Sequence, residues 1–204
     1  GEVHEIAQAT AEGLLAHFPE PGSFDVAGFS FGALIGLEVA AMRPDHIGHL
    51  VLVGAASLGL PRKPLAMKIW RKEPDPQARL AMHAVNLKLL MVASPDPHPQ
   101  AIALHARSVE RGRYNGRKMA RTPRVRDLIP QVRVRRLDAI YGSLDATADP
   151  GTGPDTLAVE ALYRSLRPGL RFVRIDGAGH WVQHEAAEAF NTALLDLLNP
   201  ALVL

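Results

Sequence analysis

Gly28-Phe29-Ser30-Phe31-Gly32 has the G-x-S-x-G spacing that lets a serine hydroxyl serve as a nucleophile. A serine on a sharp turn between a strand and a helix holds its oxygen clear of the backbone. Small residues two positions away keep such a turn from colliding with itself. The flanks supply both elements: residues 24–28 read as a short strand, and residues 31–42, rich in Ala and Leu, as a helix that stops before Pro44. A helix N-terminus directs N–H groups and partial positive charge at whatever binds beside it, so the Phe31 N–H is the candidate oxyanion donor.

A serine hydroxyl is a weak nucleophile until a base takes its proton, and nine histidines compete for that role. His180 lies in Gly177-Ala178-Gly179-His180-Trp181, directly after the strand predicted over residues 170–175. That is the carboxyl end of a parallel strand, where such sheets bind ligands. His46 and His49 fall between a helix and a strand, His83 and His105 lie on helical patches, and His4, His17, His98 and His184 have no strand-end context. The acid that orients the imidazole should also sit at a strand end. Asp145 follows the strand predicted over 137–141 through Gly142-Ser143-Leu144. Of its rivals, Asp138 lies inside the strand, Asp149 beyond the turn, and Asp176 too near the histidine to reach round it.

The elements that must bring these three together alternate along the chain. Residues 3–18 have helical apolar spacing ended by Pro19, Pro21 and Gly22, and residues 50–54 form a continuous apolar run suited to a strand covered on both faces. From Ser57 to Pro130 prolines recur between helical patches, such as 77–92 and 100–119, and no strand is evident. Alternation then resumes: strand 137–141, helix 155–166, strand 170–175, helix 185–198. The expected fold is α/β, a mostly parallel sheet flanked by helices. Residues 1–56 and 131–204 form its core, and 57–130 a helical cap.

With 204 residues and 47% hydrophobic content the chain can bury one sizeable core. The absence of cysteine removes disulfides, thiolate metal sites and a cysteine nucleophile, and fits a reducing compartment. No apolar run reaches the roughly 18 residues of a membrane span, and the first ten residues lack signal-peptide features, so a cytoplasmic protein is expected. Arg111, Arg113, Arg117, Lys118, Arg121, Arg124, Arg126, Arg133 and Arg135 make a cationic stretch, interleaved with a single aromatic, Tyr114. Without a binding motif it reads as a solvated cap surface or an anionic-substrate funnel, not a nucleic-acid interface. No metal-ligand spacing is evident, and a triad needs no cofactor.

The chain resembles the α/β-hydrolase superfamily. The likeness rests on residues 24–32, Arg43-Pro44-Asp45-His46-Ile47, Tyr141-Gly142-Ser143-Leu144-Asp145 and Gly179-His180-Trp181, in the order serine, aspartate, histidine. Residues 45–54 continuing to Ser57-Leu58-Gly59, and residues 179–185 continuing to Phe190-Asn191, look closer to the carbon–carbon bond hydrolases of aromatic meta-cleavage pathways and to related esterases and enol-lactonases. The resemblance implies Ser30 as nucleophile, Asp145 as acid and His180 as base. It also implies Trp181 and a cap arginine, Arg107, against the substrate, and Phe29, next to the serine, is a further candidate substrate-binding residue. The apolar residues of the cap, Leu65, Met67, Trp70, Met82 and Met91, point to a medium-sized, partly hydrophobic substrate. Two departures stand out. Phe29 occupies a position that is often asparagine in the meta-cleavage type. The family also expects strands and a His-Gly oxyanion loop ahead of the first helix, roughly 60–90 residues by ordinary element lengths. The alternative to a hydrolase is therefore a related binding protein lacking that loop, and an uncovered sheet edge leaves a homodimer open.

Overall fold

The computed structural model describes residues 2–22, 24–113 and 118–199. Tyr114 and Arg117 of the cationic stretch lie outside the described residues. Four strands run parallel in the order β1 (Phe24–Phe29), β2 (Ile47–Val53), β3 (Arg136–Gly142) and β4 (Phe172–Ile175). Parallel neighbours need crossovers, and the crossovers here carry α2 (Phe31–Met42) between β1 and β2, and α6 (Thr156–Leu166) between β3 and β4. Helix α1 (Glu2–His17) precedes β1 and packs on α2.

Side chains alternate across a strand, so β2, apolar at every position but Gly48 and His49, feeds two cores at once. Leu50 and Leu52 join Ala139 and Tyr141 under α1, α2 and α6. Val51 and Val53 join Ile140 and Ile175 on the other face, under α7 (Ala187–Leu198), which supplies Phe190 and Leu197. The doubly buried strand expected from the run at 50–54 is this one, lengthened at its start to Ile47. Four parallel strands with helices on both faces give the α/β architecture that the alternation of elements leads one to expect.

Between β2 and β3 no strand occurs among the described residues. The segment holds α3 (Pro76–Leu90), α4 (Pro99–Arg111) and the short α5 (Arg124–Leu128). Helices α3 and α4 each begin with proline, whose missing N–H costs nothing in a first turn. The preceding residue caps each: Asp75 accepts from the Gln77 and Ala78 N–H groups, and His98 Nδ1 from that of Gln100. The helical pattern read through residue 119 stops at Arg111, where Gly112 follows. Helix α5 is held to α2 by a two-pronged ion pair, Arg124 Nε and Nη2 donating to the Glu38 carboxylate at 2.6 and 2.9 Å.

Candidate active site

The turn from β1 into α2 bears out the physical demand of the glycine–serine pattern at one end only. Ser30 sits at φ 52°, ψ −111°, a conformation that L-residues avoid and that surrounding contacts must hold. Its own N–H donates to the Val53 carbonyl at 2.8 Å, tying the turn to the end of β2. A Cβ at Gly28 would lie 2.6 Å from the Gly32 carbonyl oxygen and 2.8 Å from Ala33 Cα, so glycine is obligatory there. A Cβ at Gly32 would meet nothing within 4 Å, so the second glycine is not needed for space. Phe31, the candidate oxyanion donor, is the first residue of α2.

The loop after β4 carries His180 back over the sheet to this turn. His180 Nε2 lies 2.9 Å from Ser30 Oγ, and Nδ1 lies 2.9 and 3.1 Å from the two carboxylate oxygens of Asp145. Asp145, fully buried, also accepts the Thr147 N–H at 2.7 Å. Burial pushes its pKa up, but the charge and hydrogen bond of His180 together with the Thr147 contacts more than offset this and hold it below the ordinary carboxylate value. The three residues, 150 positions apart at the extremes, form one continuous hydrogen-bonded chain.

Three glycines make room for that chain, and two of them escaped the sequence reading. Gly54, at φ +51°, ends β2 directly beneath the imidazole: an added Cβ would stand 3.2 Å from His180 Nδ1 and 3.4 Å from Asp145 Oδ2. Gly142 ends β3, where a Cβ would lie 2.2 Å from the Gly179 carbonyl oxygen. The available signal was the glycine closing each apolar run. The Phe29 ring lies 5.0 Å from that of His180, giving the imidazole an apolar neighbour.

The remaining candidates fall elsewhere. Trp181 is half-buried, packed with Met91 and Ile102 on the cluster of Leu87, Val92 and Ala101 at the adjoining ends of α3 and α4. Arg107, expected to face the substrate, is exposed and lines a cavity of about 390 Å³ between α3 and α4 with Arg79, His83 and Glu110, a cavity whose lining contains none of Ser30, Asp145 and His180. The reason is helical geometry: α4 directs Ala101 toward Trp181, and Arg107 comes nearly two turns later, in the second half of the helix.

The rival residues have other partners. Asp138 is buried against His49, with Asp138 Oδ2 2.8 Å from His49 Nε2, and it accepts the Arg171 N–H. Asp149 is turned into its own loop, accepting from the Gly151 and Gly153 N–H groups. Asp176 is largely solvent-exposed beside Arg174. His46 contacts the Pro19 carbonyl, and His98 is a helix cap.

A family model described as alpha/beta hydrolase family matches residues 1–193. No curated protein matches. Among solved structures, the chain is similar to a thermophilic esterase, with 22% identity and a TM-score of 0.69, over 97% of this chain and 73% of that one. It is also similar to 2-hydroxy-6-oxo-6-phenylhexa-2,4-dienoate hydrolase from Rhodococcus sp. strain RHA1, with 17% identity and a TM-score of 0.64, over 96% and 72%. A bromoperoxidase from Bacillus anthracis matches with 18% identity and a TM-score of 0.63, over 91% and 70%. At these identities the likeness is one of fold.

Proposed function

The chain belongs to the alpha/beta hydrolase family, and on that premise we propose that it cleaves a carbonyl substrate with Ser30 as nucleophile, His180 as general base and Asp145 as the acid behind it. The single observation that carries this reading is the unbroken contact from Asp145 through His180 to Ser30, with the serine in a strained, left-handed backbone conformation. Strain of that kind is retained where the structure over-determines it, and here it aims the oxygen at the imidazole.

In this mechanism Ser30 Oγ attacks the carbonyl carbon as His180 Nε2 takes its proton. The Phe31 N–H, at the start of α2, is the donor assigned to the oxyanion, aided by the helix dipole. Collapse expels the leaving group, which takes the proton back from His180. Water, activated by the same nitrogen, then releases the acyl group and restores the serine. The Asp145 carboxylate fixes the Nδ1–H tautomer and stabilises the imidazolium formed at each proton transfer.

Esters and lactones fit this chemistry directly. A vinylogous carbon–carbon substrate would need His180 to assist ketonisation before cleavage. The apolar Phe29 beside the base, and the apolar cluster that packs Trp181 against the ends of α3 and α4, favour a moderately hydrophobic substrate. The relatives span esterase and dienoate hydrolase chemistry on the same fold, so a panel of p-nitrophenyl esters of graded acyl length, run beside a dienoate ring-fission product, is the test. Turnover of esters with Ser30→Ala silent supports the reading. Turnover of neither class by a folded protein overturns it in favour of a binding role.

A further inference from the structure

Resting on the triad reading above, the geometry points to Glu185 as a positioning residue that latches the end of α3 to the turn holding His180, so that the base is aligned only while the cap is seated. The Glu185 carboxylate accepts three backbone N–H groups, one from its own turn and two from a segment far away in the chain. Gly179, the residue before the base, donates to Oε2 at 2.7 Å. Ala93 donates to both oxygens, at 2.9 and 3.0 Å, and Ser94 donates to Oε1 at 2.9 Å. On the other side of the base, the Trp181 N–H donates to the Met91 carbonyl at 2.6 Å. The residues flanking His180 are therefore both tied to residues 91–94, the strip of chain that leaves α3.

The close approach is built in. A Cβ on Gly179 would lie 2.7 Å from the Ala93 nitrogen and 2.9 Å from Glu185 Oε2, so only glycine lets the two strips meet. All the converging groups are donors, which an acceptor-only carboxylate satisfies and a carboxamide does not, because its NH2 would point a further donor at them. The opposite flank of the turn is fixed instead to the loop that leaves β3: the Leu144 N–H donates to the Ala178 carbonyl, and the Gly177 N–H to Ser143 Oγ. The histidine turn thus has one support on the loop that leaves β3 and one on the helical segment. Movement of that segment away from the sheet would release the second.

The test pairs Glu185→Gln with Glu185→Asp, which keeps the charge but shortens the reach. Ester turnover is normalised to the fraction of protein titrated by a fluorophosphonate, and amide hydrogen exchange is followed at residues 93, 94 and 179. The expected result is a kcat about 10–100-fold lower in Glu185→Gln, the scale of an ångström-level misplacement, with KM nearly unchanged and an intermediate loss in Glu185→Asp. Exchange at 93, 94 and 179 rises in step while the buried amides of Leu50 and Leu52 stay protected. Wild-type kcat per titrated site in Glu185→Gln, or exchange that rises equally at Leu50 and Leu52 in both variants, overturns the latch. Wild-type protein that does not react with the fluorophosphonate overturns the triad reading instead, and the exchange rates still report the latch independently.

Discussion

Glycine 54 shows how far the site depends on what is absent from a side chain. Its positive φ and the 3.2 Å from its would-be Cβ to His180 Nδ1 act together, so Gly54→Ala should push the imidazole away from both neighbours. We expect ester turnover to fall by about 100-fold or more with the far-ultraviolet circular dichroism unchanged. The serine turn makes a second, sharper contrast. Gly28→Ala meets backbone at 2.6 Å and should lower the thermal midpoint and abolish turnover. Gly32→Ala, in a helix with open space beside it, should be neutral or stabilising by up to about 1 kcal/mol, the helix-propensity difference. Thermal melts of the two variants, run together, check this. Ser30, and the positions of Asp145 and His180 at strand ends, were legible because a motif and a chain order carry them. Gly54, Gly142 and Glu185 were not, because their importance lies in contacts between segments that sequence spacing does not relate.

At the level of elements, the apolar runs and the turn residues between them located every strand to within a few residues; β2 and β3, buried on both faces, have little freedom in composition, and β1 and β4 were marked by the turns and helices that bound them. The segment between β2 and β3 was harder to read. Helical spacing through residue 119 overshot the end of α4 at Arg111, and α5 gave no strong apolar signal at five residues. Its anchor is electrostatic instead: Glu38, almost wholly buried in α2, is neutralised by Arg124 from α5. Removing the cation strands that carboxylate, and the loss of one partner from a buried pair costs about 3–5 kcal/mol. Arg124 is itself 44% exposed on its side chain, so Arg124→Met should fall at or below the lower end of that range. Urea denaturation at neutral pH measures it, with Glu38→Gln in the same background expected to recover part of the loss.

For the molecule as a whole, acid sensitivity follows from which groups the fold keeps uncharged and which it keeps charged. Burial, and secondarily the neighbouring His83, lowers the His105 pKa from 6.5 to about 4. Between those values the unfolded chain binds the proton and the folded one does not, so stability declines as pH falls from about 6.5 to about 4. Asp138 and Asp145 are depressed below 3.8: for both, burial acts upward and is outweighed by their histidine partners and hydrogen bonds. Their contribution is intact above that value and is lost as pH drops through the lower, folded-state pKa. Urea midpoints should therefore fall in two steps on acidification, and His105→Gln should remove the first step and leave the second. No described helix is long and apolar enough to cross a membrane.

The most direct measurement of the central claim is reaction with a fluorophosphonate probe, read by intact mass and by peptide mapping. The account predicts one adduct per chain, on Ser30, absent in Ser30→Ala and slowed by orders of magnitude in His180→Ala while both variants remain folded. An adduct on another residue, or a folded wild-type chain that stays unlabelled, would contradict it.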